Sequence, residues 1–339
     1  MKKFIIKSLF YFIPFLCVYG IFVYAGTDFT GDIGKLGKFS FGKEYVQYLE
    51  KNYLTDNLTI DTLISYEKLQ IDDVSKVCTI GDSFSNLGIY GYQNYLVHLL
   101  GFKIINFLRG DIGQLDIAIA LLNSEIIDSS NCRIFILSSV DRDVIYHLTN
   151  INFEMLYEKP LKINVKPNKN NDNNSLYNLF SFIRLKLNYD NPIFKHNLKQ
   201  ECFTHSRYSK VLFNYKDDMN FLNTSKIDIT KAKENLTLLN KKISEKGIKL
   251  IFLIAADKYD VYRPFMTDNS LPIDTTTDEL SNIPDVFVIN TKSMLQEMVK
   301  NGEKDVYMVN DTHWSYKASE AVARKLAHAI DSFPESTMR

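Results

Sequence analysis

Two short stretches carry residue types that could do chemistry together. Residues 78–85 read CTIGDSFS and residues 309–315 read VNDTHWS. A serine attacks a carbonyl carbon only when a neighbouring base takes its proton and donors meet the developing oxyanion. The first stretch supplies part of that geometry. A β-rich run ends at Gly81-Asp82, Gly81 permits a tight turn, and Ser83 then projects its hydroxyl at the strand's end. A helix beginning there would add N–H groups that favour negative charge. The second stretch supplies a base. His313 follows Asp311 by two positions, and in extended backbone residues two apart face the same way, so the carboxylate can fix the imidazole tautomer. Trp314 is expected to pack beside the pair. Either stretch alone is also an ordinary turn; both together in one chain predict a Ser83–His313–Asp311 triad.

These residues can meet only if the elements between them bring two ends of a sheet edge together. VSKVCTI (74–80), FKIINFL (102–108), RIFILSSV (133–140), IKLIFLIAA (248–256) and VFVINT (286–291) read as strands. The third is nearly continuous in apolar residues, as a strand buried on both faces should be. Helical runs separate them: NYLVHLLG (94–101), DIAIALLNSEII (116–127), residues 228–247, SMLQEMVKNG and a last helix opening directly after DTHW. Strands alternating with helices predict an α/β fold, a parallel sheet with helices on both faces. Ligands in such sheets gather beyond the carboxyl ends of the strands. Ser83, Asp141 and Lys258 each stand just after one.

The alternation lapses in the middle. Residues 26–73 are mixed and polar and read as a connector or surface layer. The α/β pattern occupies 74–150 and resumes over 229–332, which leaves 151–228 as an insertion or subdomain, with an Asn- and Lys-rich loop at 160–175 and a helical spacing of Leu and Phe at 175–187. No internal repeat is present.

Composition narrows the function classes. Forty basic residues balance forty acidic ones in a chain of 339, so nothing points to nucleic acid as a partner. Cysteines at 17, 78, 132 and 202 form no C-x-x-C pair, which excludes zinc ribbons and thioredoxin-like motifs. Cys78 and Cys132 read as small core residues. No metal set is visible, since one D-x-H falls short of three ligands, and no cofactor is expected. At the start, Lys2, Lys3 and Lys7 precede eighteen uncharged residues, 8–25. That is roughly enough to cross a bilayer as a helix, with the lysines on the cytoplasmic side. Val23-Tyr24-Ala25 also offers a peptidase site, so an anchor and a cleaved signal both remain open. Either predicts export, and Leu16 is too large to precede a lipidated Cys17.

Early GDSF and late D-x-H resemble the SGNH (GDSL-type) hydrolase superfamily. DTHWS is similar to the D-x-H-W segment of the periplasmic polysaccharide O-acetyltransferases of the alginate acetylation type. The likeness extends to NYLVHLLGFKIINFLRGDIGQ, SSVDRDV and LIFLIAADKYDVY. It implies a three-layer, flavodoxin-like fold, with an insertion and an N-terminal transmembrane helix added here. It also implies site-lining roles. Gly110 or Gly113 would be an oxyanion donor through its N–H, Asp82, Asp141 and Arg142 would flank the site, and Asp257, Lys258 and Tyr259 would stand at its rim beside Trp314.

The order of the motifs departs from the alginate enzymes, where D-x-H precedes the serine. The Asp–His spacing is one residue rather than the superfamily's two, and there is no G-x-N-D block. That leaves Arg142 or a backbone group for the Asn's place in the oxyanion hole. The resemblance implies an O-acetyltransferase tethered to the cytoplasmic membrane with its catalytic domain outside the cytoplasm. It would act on a polysaccharide and be supplied with acetyl by a membrane-bound O-acyltransferase. An esterase using the same triad, and a non-catalytic glycan-binding or assembly protein on the same fold, are the alternatives.

Overall fold

A computed structural model describes residues 2–26, 30–37, 39, 41–42, 44–45, 47–48, 63–65, 75–85, 87, 90–107, 113–124, 127, 131–156 and 191–334. The strands are β1 (Leu63–Ser65), β2 (Val77–Ile80), β3 (Ile104–Phe107), β4 (Ile134–Val140), β5 (Ile193–Asn197), β6 (Val211–Tyr215), β7 (Lys249–Ala255) and β8 (Phe287–Asn290). The helices are α1 (Lys2–Gly26), α2 (Gly31–Gly37), α3 (Tyr92–Leu100), α4 (Gln114–Leu122), α5 (Asp141–Thr149), α6 (Lys226–Glu245), α7 (Lys258–Tyr262), α8 (Lys292–Lys300) and α9 (Tyr316–Asp331).

Six strands form one sheet in the order β1-β3-β2-β4-β7-β8, and every neighbouring pair in it is parallel. Leaving aside edge strand β1, the chain order across the sheet is second, first, third, fourth, fifth. This is a doubly wound order whose direction reverses between β2 and β4, the place where such sheets open a crevice. Side chains along β4 alternate between two cores as a period of two requires. Ile134 and Ile136 join the core formed with α3, α8 and α9, while Phe135 and Leu137 join the one formed with α4, α5 and α6. The result is helices on both faces, as the strand–helix alternation predicts. Cys78 and Cys132 are both buried in the second core.

The sequence reading differs from the fold in several places. Within the 26–73 stretch, read as a connector or surface layer, Ile33, Phe41 and Tyr45 are buried in the first core. Phe41 meets Phe213 and Tyr208 edge to face, with ring centroids 5.5 Å apart in each case. Their partners lie on or beside an antiparallel hairpin, β5 with β6, within the stretch taken as an insertion. The Asn- and Lys-rich loop and the 175–187 helix lie outside the described residues, as does Gly110. The apolar leader forms α1. Among the described residues no helix is long and apolar enough to cross a membrane, so the spanning role expected of the leader is not part of what the fold shows.

Candidate functional site

Ser83 follows β2 and Asp141 follows β4, the two strands between which the order of the sheet reverses. After Ile80 the chain turns through Gly81 and Asp82 into a single helical turn, Ser83–Ser85. Gly81 is dictated by close approach: a Cβ there would lie 2.2 Å from Ser85 Oγ and 2.8 Å from Ser138 Cβ. Asp82 is 2% exposed. Its Oδ1 accepts from the Phe84 N–H at 3.0 Å and its Oδ2 from the Val140 N–H, which latches the turn to the end of β4. Burial raises its pKa against those two bonds. Asp82 therefore shapes the turn from beneath, while Ser83 is left exposed.

The D-T-H segment arrives from the other end of the chain and is fixed along its length. The Tyr307 hydroxyl donates to Ala256 O at 2.5 Å, and the Val309 N–H donates to the Tyr45 hydroxyl at 3.0 Å. The Lys258 ammonium donates to the carbonyls of Met308 (2.6 Å), Val309 (3.1 Å) and Asp311 (2.9 Å). His313 Nδ1 lies 2.6 Å from Asp311 Oδ1, which also accepts the His313 N–H at 3.0 Å. A carboxylate only accepts, so Nδ1 carries the proton and Nε2 is the atom left for proton transfer.

His313 Nε2 is buried and has no hydrogen-bond partner among the described residues. The imidazole packs on Phe84, the residue after Ser83, with centroids 4.9 Å apart, and Trp314 meets the same ring edge to face at 5.0 Å. Histidine and serine turn are thus brought together, but no Ser83–His313 hydrogen bond is made. Burial opposes the imidazolium. The hydrogen bond and charge of Asp311, aided by Asp32, outweigh it and raise the pKa of His313. Burial likewise works against the Asp311 carboxylate, and His313 reverses that and lowers its pKa.

The other expected residues sort differently. Gly113 stands at the N-terminus of α4 in extended conformation, where a backbone N–H can face an anion. Arg142 is not free for an oxyanion. Its N–H donates to Asp257 Oδ2 at 2.6 Å, and its guanidinium bonds Asp257 Oδ1 and, at 3.2 Å, Asp218 Oδ1. Against burial, Asp257 and then Asp218 raise its pKa. Lys258 and Tyr259 are not at the rim, because both are fully buried. Lys258 supports the D-T-H loop from within, and the Tyr259 hydroxyl donates to Pro272 O at 2.6 Å. A polar cleft of about 350 Å³ adjoins Arg142, lined also by Tyr146, Asn150, Asn220, Phe221 and Asn223.

Asp141 is buried, and its Oδ2 accepts from the Thr277 hydroxyl at 3.2 Å. It shares a cluster with Asp260 and Asp274, whose ligand atoms lie within 4.8 Å of one another. Burial, then the charge of Asp274, raises the pKa of Asp141 well above the carboxylate range. These carboxyls could hold a cation, as could Asp32, Asp311 and His313. In the second set the 2.6 Å Asp311–His313 contact is itself a hydrogen bond that an ion would have to displace.

Sequence reasoning missed Asp32, Asp218 and a partly buried Gln114–Ser139–His147 group. In that group the Gln114 Nε2 and Ser139 Oγ each lie 3.0 Å from His147 Nδ1. Ser139 is fully buried, so it offers no substrate access. The only signal for Asp32 was its flanking glycines, Gly31 and Gly34.

No curated protein matches the chain. An X-ray crystal structure of protein YXIM from Bacillus subtilis aligns with 77% of this chain and 58% of its own, at 13% identity and a TM-score of 0.36. The chain thus spans 58% of that structure's length, and a score this low carries no argument. A family model does match, over a region that holds Lys258, Asp311, His313 and Trp314 and begins well after Ser83, which it does not include. Residues 212–338 match the SGNH hydrolase-like domain of the acetyltransferase AlgX, the family type that the GDSF and DTHW segments resemble.

Proposed function

We propose that the protein is an exported, membrane-tethered O-acetyltransferase that modifies hydroxyls of a cell-surface or secreted polysaccharide. The observation that carries this reading is the Asp311–His313 pair, with a buried Nε2 that has no hydrogen-bond partner among the described residues, packed against the residue that follows Ser83. In the proposed reaction His313 Nε2 takes the Ser83 proton as Oγ attacks the acetyl carbonyl. The tetrahedral oxyanion collapses, the donor's leaving group departs with that proton, and an acetyl-serine remains. A sugar hydroxyl then attacks the ester, giving its proton to Nε2, and Ser83 recovers a proton as the acetylated sugar leaves. Asp311 holds the tautomer throughout, and the Gly113 N–H is the proposed oxyanion donor.

The polar cleft beside Arg142, lined by Tyr146 and asparagine side chains but by neither Ser83 nor His313, is the proposed acceptor site. Tethering through residues 8–25 belongs to the same proposal. It is supported by the outward-facing Phe10, Tyr11, Phe12, Phe15, Leu16, Val18 and Tyr19 of α1, since a helix apolar on all sides wants an apolar surrounding. Acetyl-CoA in the cytoplasm cannot reach such a site, so a membrane-bound O-acyltransferase is the proposed acetyl supplier.

The exposure of Ser83 favours a second reading, hydrolysis, in which water replaces the sugar. Incubating the full-length protein with an acetyl ester, with and without oligosaccharide, separates the two. Acetylated sugar is expected for transfer, and free acetate alone would overturn transfer in favour of an esterase. Turnover of neither, with Ser83→Ala indistinguishable from the parent, would leave a glycan-binding protein.

A further inference from the structure

We propose that Asp32 is a positioning residue of this site, a second carboxylate that grips Thr312 and, through the Asp311–Thr312–His313 loop, holds the imidazole where it packs on Phe84. The assignment rests on the proposed role of His313 as base. Asp32 Oδ1 accepts the Thr312 N–H at 2.7 Å, and its Oδ2 accepts the Thr312 hydroxyl. The Asp32 N–H donates to Asp311 Oδ2 at 3.2 Å, and Asp32 Oδ2 lies 3.7 Å from His313 Nδ1. One residue thereby bonds the middle of the D-T-H segment, bonds the orienting carboxylate, and places a second charge beside the imidazole.

The contact joins positions 280 residues apart, and the chain around Asp32 is shaped to allow it. Gly31 is left-handed at φ +71°, and a Cβ there would lie 2.1 Å from the Asn310 carbonyl oxygen. The Gly34 N–H donates to that same oxygen at 3.3 Å, and Asn310 Nδ2 donates to Thr30 Oγ1 at 3.1 Å. Two neighbouring carboxylates repel, and burial followed by Asp311 raises the pKa of Asp32. Donors compensate: besides Thr312, the Ile33 N–H donates to Asp32 Oδ1 at 2.6 Å. A cap that served folding alone would have no need to stand beside Nδ1. The charged groups acting on His313 are Asp311, Asp32 and Arg142, and Lys258 feels both carboxylates.

The test uses the full-length chain with ¹³C-labelled histidine. The His313 signal is assigned through His313→Gln, and the parent is compared with Asp32→Asn and Asp32→Ser. Both variants are neutral and keep an oxygen acceptor for Thr312, and the serine serves if the asparagine variant does not fold. The His313 titration is expected to fall by about half to one pH unit. The rate of acetyl-ester turnover per folded molecule is expected to fall about tenfold, with KM little changed. An unchanged titration overturns the assignment, whatever happens to thermal stability. Ser83→Ala, measured alongside, separates the two proposals. If it keeps full turnover, Ser83 catalysis fails, while the His313 titration still decides whether Asp32 positions the imidazole.

Discussion

Lys258→Met puts the support of the D-T-H loop to a quantitative test. The Lys258 ammonium is fully buried and donates to three carbonyls of residues 308–311. Burial lowers its pKa to about 7, against the pull of Asp32, Asp311, Asp218 and Asp305. An ordinary lysine titrates near ~10.4, so burying this charge costs about 5 kcal/mol below pH 7. Between those two values the unfolded chain holds the proton and the folded chain has released it. Folded stability therefore rises with pH through the window, by about 2 kcal/mol between pH 7 and 9.

Methionine has nearly the same length and no titration, so the stability difference between parent and Lys258→Met should shift by that amount toward the parent. Urea unfolding followed by tryptophan fluorescence is the assay, because Trp314 is the chain's single tryptophan and is 1% exposed in the very loop concerned. Parallel stabilities from pH 7 to 9 would refute the reasoning. They would mean that three carbonyl acceptors hold the proton on Lys258 against burial.

Two further outcomes are expected. Arg142→Met leaves Asp218 and Asp257 buried without their cation and should cost about 3–5 kcal/mol. Asp218, already raised to about 6 by burial, rises further without the guanidinium, so the deficit in urea unfolding should be larger at pH 8 than at pH 5. The second concerns the base. His313 works as a base only when neutral and its pKa is raised. The pH profile of kcat/KM for an acetyl ester should therefore climb through an apparent pKa above the usual imidazole value of ~6.5. A midpoint at or below that value would contradict the carboxylate clamp.

What the sequence made legible was local. Runs of Ile, Phe and Leu at 134–137 and 250–254 announce strands buried on both faces, and the glycine stops after α3 and α6 mark helix ends. GDSF and DTHW were readable because each sits at a strand or helix boundary, and packing places His313 on Phe84. Asp32 was hidden for the opposite reason. Its partners lie near the far terminus, and no short-range spacing encodes a contact over 280 residues. Lys258 misled because a lysine after a strand reads as a solvated rim residue, whereas a cage of carbonyls takes it inside. Asp218 and the hairpin β5–β6 sit in a stretch whose polar residues, Lys195, His196 and Asn197 among them, mask a half-buried strand. The helix α5 escaped notice because its first turn is Asp-Arg-Asp, and only Val144, Ile145 and Leu148 face the core.

The most direct measurement is covalent labelling of the full-length protein by a fluorophosphonate, with the modified residue located by peptide mass spectrometry and the rate compared with that of His313→Gln. One adduct on Ser83 is expected, forming about a thousandfold or more slower once the imidazole is lost. An adduct elsewhere with acetyl-ester turnover intact, or labelling of Ser83 at an undiminished rate in His313→Gln, would contradict the pairing of Ser83 with His313.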